Sequence, residues 1–135
     1  MTVAEIVLDA SALIRGLQRT SEAAAEYVRQ IVIGDLTAHV PDLVVPETTN
    51  AALRLLRGGR MTRSEARELI GAVQDLPVAE HRTAIHAPAA LAVAVDTGLS
   101  AYDAFYAVLS DVLELPLVTA DRTLAAAVGR AVLVT

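Results

Sequence analysis

The sequence predicts a single α/β domain of three layers, α/β/α, around a central parallel sheet of four to five strands. Three observations carry this expectation. Short apolar runs of strand length alternate with longer segments of helical period. Strands separated by helices imply parallel pairing with right-handed crossovers. Hydrophobic residues make up 54% of the 135-residue chain, enough to cover both faces of a sheet and too many for disorder. No linker, repeat or shift of composition divides the chain, so residues 1–135 read as one domain.

The elements follow in order. A first strand covers about Glu5 to Asp9, and a helix starts near Ser11. Ala24, Val28 and Ile31 fall at helical spacing in a second helix, Ser21 to about Val32, which Gly34 can end. Leu36 to Val40 is the second strand. In "PDLVVPETTNAALRLLRGG", either Asp42 caps a helix with Pro46 in its first turn, or the helix restarts at Pro46; proline is tolerated in both placements. Gly58-Gly59 ends it, and Thr62 with Glu65 marks a capping box for a helix to about Gln74. A third strand is expected at Pro77 to Glu80, then helices from about Thr83 to Asp96 and Ser100 to Glu114. Leu117 to Thr119 is a fourth strand, Asp121 to Val128 a helix, and Ala131 to Val134 a last strand.

Composition narrows the chemistry. There is no cysteine, hence no disulfide and no thiolate nucleophile. All eleven basic residues are arginine, which removes any mechanism needing a lysine. A net charge of −5 speaks against a protein that coats nucleic acid through general positive charge. The longest run without a polar residue, Ala87 to Val95, contains a proline and is far shorter than the roughly 20 residues of a membrane span. No basic segment precedes an apolar stretch at the N-terminus, so a cytoplasmic protein is expected.

Four acids stand at comparable places: Asp9 at the end of the first strand, Glu47 after Pro46, Asp103 in "LSAYDAFYAVL", and Asp121 at the end of "PLVTAD". Each has a structural explanation. Asp121 is a good N-cap, Ser100 and Asp103 match a capping box, Glu47 gains from a helix dipole, and Asp9 can orient a turn that Ser11 caps. Together they gain a second meaning. In a parallel sheet Asp9 and Asp121 emerge on the same edge, where open α/β folds place their sites. Four carboxylates gathered there would repel one another unless a hard divalent cation such as Mg²⁺ sat among them.

"IVLDASALI", "PDLVVPETTNAALRLL" and "LSAYDAFYAVLSDVLELPLVTADRTLA" resemble, in order and spacing, the motifs of PIN-domain ribonucleases, above all VapC-type toxins of bacterial toxin–antitoxin pairs. The resemblance runs from about Val7 to Ala125. It implies a sheet of order 3-2-1-4-5 and a metal-dependent endoribonuclease that leaves 5′-phosphate ends, with Mg²⁺ as cofactor and Mn²⁺ as a possible substitute. Asp9, Glu47, Asp103 and Asp121 would form the acidic pocket, with Asp9, Asp103 and Asp121 holding metal. Ser11, Asn50 and Thr119 match supporting polar positions. The resemblance further implies an RNA substrate, a homodimer, and a VapB-type antitoxin whose tail occupies a groove near the pocket.

Other residues draw weaker readings. Arg54, Arg57, Arg60, Arg63 and Arg67 recur every three or four positions. They could approach an RNA backbone, but a solvated helical face beside Glu65 and Glu68 is the preferred reading. His39, His81 and His86 look scattered and fit no metal spacing. Tyr102 and Phe105 read as core or groove wall. Leu13, Leu17, Val28 and Ile31 could be a dimer face or core. Two rival functions are a metal-dependent phosphoryl-transfer domain and a catalytically weak RNA- or antitoxin-binding module. The first would want a lysine, and in one class an acid where Ser11 stands.

Overall fold

The computed structural model describes residues 3–135; residues 1 and 2 of the expected single domain lie outside them. The elements run β1 (Ala4–Leu8), α1 (Ala10–Gln18), α2 (Glu22–Ile33), β2 (Leu36–Pro41), α3 (Val44–Arg57), α4 (Arg63–Asp75) and β3 (Ala79–His81). A 3₁₀ turn (Ala84–His86) follows, then α5 (Ala87–Thr97), α6 (Ala101–Leu113), β4 (Leu117–Thr119), α7 (Arg122–Ala127) and β5 (Ala131–Leu133). The five strands pair in the order β3-β2-β1-β4-β5, every pair parallel.

Alternation along the strands sorts the core into two layers. Ile6 and Leu8 of β1 join Ala38 and Val40 of β2 against Leu13 of α1, Ile31 of α2, Val44 of α3 and Val73 of α4. Val7 and Leu117 turn the other way, against Tyr106 and Leu109 of α6 and Leu124 of α7. α5 packs outside α6 through Ala90, Ala104 and Val108. Leu13 and Ile31 are buried, and Leu17 and Val28 pack against the same cluster, so these four belong to the core.

Local signals explain most boundaries. Ser21 caps α2, accepting from Ala24 N, and Gly34 closes it at φ 87°, a conformation that side-chain-bearing residues avoid. The capping box of Thr62 and Glu65 is made in both directions. Gly16 answers a different need. A Cβ there would lie 2.6 Å from Val28 Cγ2 and 2.7 Å from Ala24 O, so its bare backbone lets α1 rest directly on α2.

Three expectations need correction. Asp42 does not cap α3, whose first turn begins after Leu43 with no side-chain cap. Its carboxylate instead accepts from the N–H and hydroxyl of Thr83, at 3.2 and 2.7 Å, pinning the chain after β3. β3 starts at Ala79 rather than Pro77, since its ladder with β2 opens only where Ala79 lies opposite His39. The helix expected from Thr83 is split at Ala87, since Pro88 cannot donate back to Ala84. Among the described residues no single helix is long and apolar enough to cross a membrane.

Candidate active site

After β1 the chain moves outward through β2 and β3, then returns to lay β4 on the other side of β1. The helices leaving the two central strands therefore take opposite faces: α1 packs with one layer and α7 with the other. A crevice opens beyond the ends of β1 and β4, the place where doubly wound sheets carry their sites.

Asp9 stands at the end of β1 and is the N-cap of α1; Ser11 is not the cap. Its Oδ1 accepts from the N–H groups of Ser11 and Ala12, and its Oδ2 accepts from the Thr119 hydroxyl at 2.7 Å. Thr119, fully buried at the end of β4, also accepts from Asp121 N at 3.0 Å. Ser11 Oγ accepts from Ala120 N at 3.0 Å and lies 3.4 Å from Thr119 Oγ1. Because Thr119 has spent its hydrogen on Asp9, Ser11 is the donor in that last contact. This lattice fixes the two strand ends relative to each other.

The other acids arrive from separate elements. Asp121 caps α7, its Oδ1 accepting from Thr123 N and Leu124 N at 2.8 and 3.1 Å. Asp103 sits in the first turn of α6, where its N–H donates to Ser100 Oγ at 3.1 Å. Glu47 lies in the first turn of α3. All four acids line one cleft of about 560 Å³.

Their charges act on one another. Asp9 is only 4% exposed, and burial raises its pKa against the pull of its hydrogen bonds from Ser11, Thr119 and Ala12. Burial also raises Glu47, helped by the charges of Asp9 and Asp103. Burial raises Asp103 too, with Asp121 and Asp9 adding to it. Beneath the acids is Tyr106, whose phenol is pushed far up by burial and by neighbouring Glu47. The Tyr106 hydroxyl and Glu47 Oε1 are both buried without a hydrogen-bond partner. The two side chains are near enough to shift each other's ionisation, yet they miss hydrogen-bond geometry.

Orphaned buried polar atoms of this kind call for a partner. The donors are hard carboxylate oxygens, the type that Mg²⁺ and Mn²⁺ prefer. Among the described residues, no three histidine or acidic side chains are arranged to hold one ion jointly. Carboxylates that line one cleft from separate elements could hold such an ion singly or in pairs, with water completing its shell. One or two of Asp9, Asp103 and Asp121 would hold it, with Glu47 in the same cleft.

Several sequence-level readings change. Asn50 is exposed and does not line the cleft; on α3 the cleft takes Glu47, Ala51, Arg54 and Leu55, at intervals of one and two turns. Tyr102 is 60% exposed and so is not core, and Phe105 is half-buried against α5. Arg54 and Arg60 line the cleft with Arg15, whereas Arg57, Arg63 and Arg67 do not. Nor are the histidines scattered. His39 Nδ1 lies 2.8 Å from His81 Nε2, and His39 Nε2 lies 2.8 Å from Glu5 Oε1, a chain across β1, β2 and β3. Tyr106 and Arg15 drew no notice in the sequence, though helical spacing places Tyr106 one turn from Asp103 and Arg15 one turn from Ser11.

Fold and cleft together define a doubly wound α/β domain with an acidic site at its switch point. The chain belongs to the PIN-domain family, whose model matches residues 6–129. It is 32% identical over 119 residues to the VapC9 ribonuclease of Mycobacterium tuberculosis, covering 88% of this chain and 87% of that one. It superposes on the crystal structure of PAE2754 from Pyrobaculum aerophilum with a TM-score of 0.71 at 30% identity, over 96% of this chain and 82% of the other. A toxin–antitoxin complex from Klebsiella pneumoniae shares the fold, with a TM-score of 0.59 at 13% identity over 94% and 95% of the two chains.

Proposed function

We propose that the protein is a VapC-type endoribonuclease that hydrolyses RNA phosphodiester bonds at the acidic cleft. One observation carries the reading: four carboxylates from four separate stretches of chain line a single cleft, three of them strained by burial. Caps alone would not require that convergence. The 32% identity to a VapC ribonuclease supports the same reading.

The residues divide the work. Asp9, held on both oxygens, is the fixed point of the site and keeps its geometry as the substrate arrives. Asp103 and Asp121 face it from α6 and α7 and complete the negative pole. Glu47, entering the cleft from α3, is placed to orient an attacking water in line with the scissile bond. A phosphodiester is an anion and would be repelled by these four acids alone. Bound by them, Mg²⁺ or Mn²⁺ would supply a Lewis acid that lowers the pKa of water and offsets charge on the leaving oxygen.

The reading extends to a VapB-type antitoxin as partner, a homodimer as the working unit and the cytoplasm as its location. Asp9→Asn is the decisive variant. Labelled RNA should be cut by the wild-type protein in Mg²⁺ and not in chelator, and Asp9→Asn should cut at least about 100-fold more slowly while still folded. Full activity in a clean preparation of that variant would refute the site. Stoichiometric RNA binding without turnover by the wild type would favour a binding module instead.

A further inference from the structure

We propose that the cleft has a second, cationic pole, formed by Arg15, Arg54 and Arg60, that holds the phosphate of a nucleotide flanking the cleaved bond. This rests on the ribonuclease reading and adds a subsite to it.

The cleft is a trench between two helices. Ser11, Ile14, Arg15 and Gln18 line it from α1, and Glu47, Ala51, Arg54 and Leu55 line it from α3, each set following one helical face. Both helices start at the acidic pole and run away from it. Arg54 lies seven residues beyond Glu47, and Arg15 six beyond Asp9. At the helical rise these separations are about 10 and 9 Å along the trench. That offset roots both side chains down the trench from the carboxylates, where their guanidinium groups can meet a neighbouring phosphate on the same strand.

Three further observations point the same way. Arg15, Arg54 and Arg60 are exposed. Among the described residues none of the three is ion-paired, so each is free to meet an anion; Arg57, Arg63 and Arg67 are equally unpaired, and what separates the two sets is the trench. The trench also continues past the acids: a hollow of about 420 Å³ shares Ala51, Arg54, Leu55 and Arg60 with it and adds Gly58. Between the poles the lining is Ile14, Ala51 and Leu55, with no aromatic ring for a base to stack on. Recognition at this pole is therefore of the backbone, through charge and forked hydrogen bonds, and tolerant of sequence.

The test compares arginines inside and outside the trench. Anisotropy of a labelled single-stranded RNA is measured in Mg²⁺ on the Asp9→Asn background, where the RNA stays uncut, as a function of salt. Arg54→Gln and Arg60→Gln should each weaken binding about three- to tenfold. Each should also flatten the log–log salt slope by about 0.7. Arg63→Gln and Arg67→Gln should do neither. With Asp9 restored, the trench variants should raise KM and leave kcat within about twofold. Unchanged affinity and slope, or equal losses in both sets, would overturn the subsite, even if the trench variants lost an acidic peptide partner. Failure of the wild type to cleave any RNA would instead strike the ribonuclease reading, which the binding comparison does not require.

Discussion

Thr119 gives its one hydroxyl hydrogen to Asp9 across 2.7 Å, joining the buried end of β4 to the buried end of β1. Neither residue is replaceable by shape alone, since the carboxylate has been taken out of water and needs every donor it has. Thr119→Val keeps the volume and removes the donor. It should cost about 1.5–3 kcal/mol of stability, read by urea unfolding, and slow RNA cleavage at least about tenfold. Thr119→Ser should restore most of both.

The raised pKa values of Glu47 and Asp103 fix the sign of a second effect. A carboxyl whose folded pKa exceeds its unfolded value stabilises the fold fully below the ordinary range, 4.5 for Glu47, and loses that contribution as pH rises through the raised value. Glu47→Gln should therefore melt about 2–5 °C above wild type in chelator at pH 7, and level with it near pH 4. Mn²⁺ should raise the melting temperature of the wild type and raise that of the variant less.

Tyr106 offers a cleaner probe of Glu47. Its hydroxyl is buried with no partner, so Tyr106→Phe should leave stability level or improve it by about 1 kcal/mol. A small turn of either side chain would let this hydroxyl donate to the Glu47 carboxylate and ease its ionisation, so removing it should move the acid limb of the rate–pH profile to higher pH. An unmoved limb would detach Tyr106 from the chemistry.

His81 carries the opposite sign. Burial, and the charges of His39 and His86, hold its pKa below the ordinary 6.5. Its contribution is present above that value and is lost as pH falls through the depressed one. Thermal unfolding followed from pH 7 to pH 5 should show a fall of a few degrees that His81→Gln removes.

Much of this was readable before any coordinates. Asp9, Asp103 and Asp121 stood out because a parallel sheet sends strand ends and helix starts to one edge, and all three sit at helix starts. What failed depended on facing. Asn50 is one turn from Glu47 but falls on the outer flank of α3, and Arg54 and Arg60 face a trench that spacing along the chain cannot reveal. The pairing of His39 with His81 needed the register of a three-residue strand, in which His39 lies opposite Ala79 and His81 opposite Pro41. Asp42 looked like a cap and proved to be a tether, because its partner Thr83 lies forty-one positions away.

The bare backbone at position 16 sets how deep α1 sits against its neighbour, and α1 is also one bank of the trench. A residue with no functional group thereby determines the gauge of the channel. Adding a single methyl there would displace Arg15 and the amides that hold Asp9 as one rigid piece. Catalytic capacity in this molecule is in that sense a matter of clearance as much as of charge.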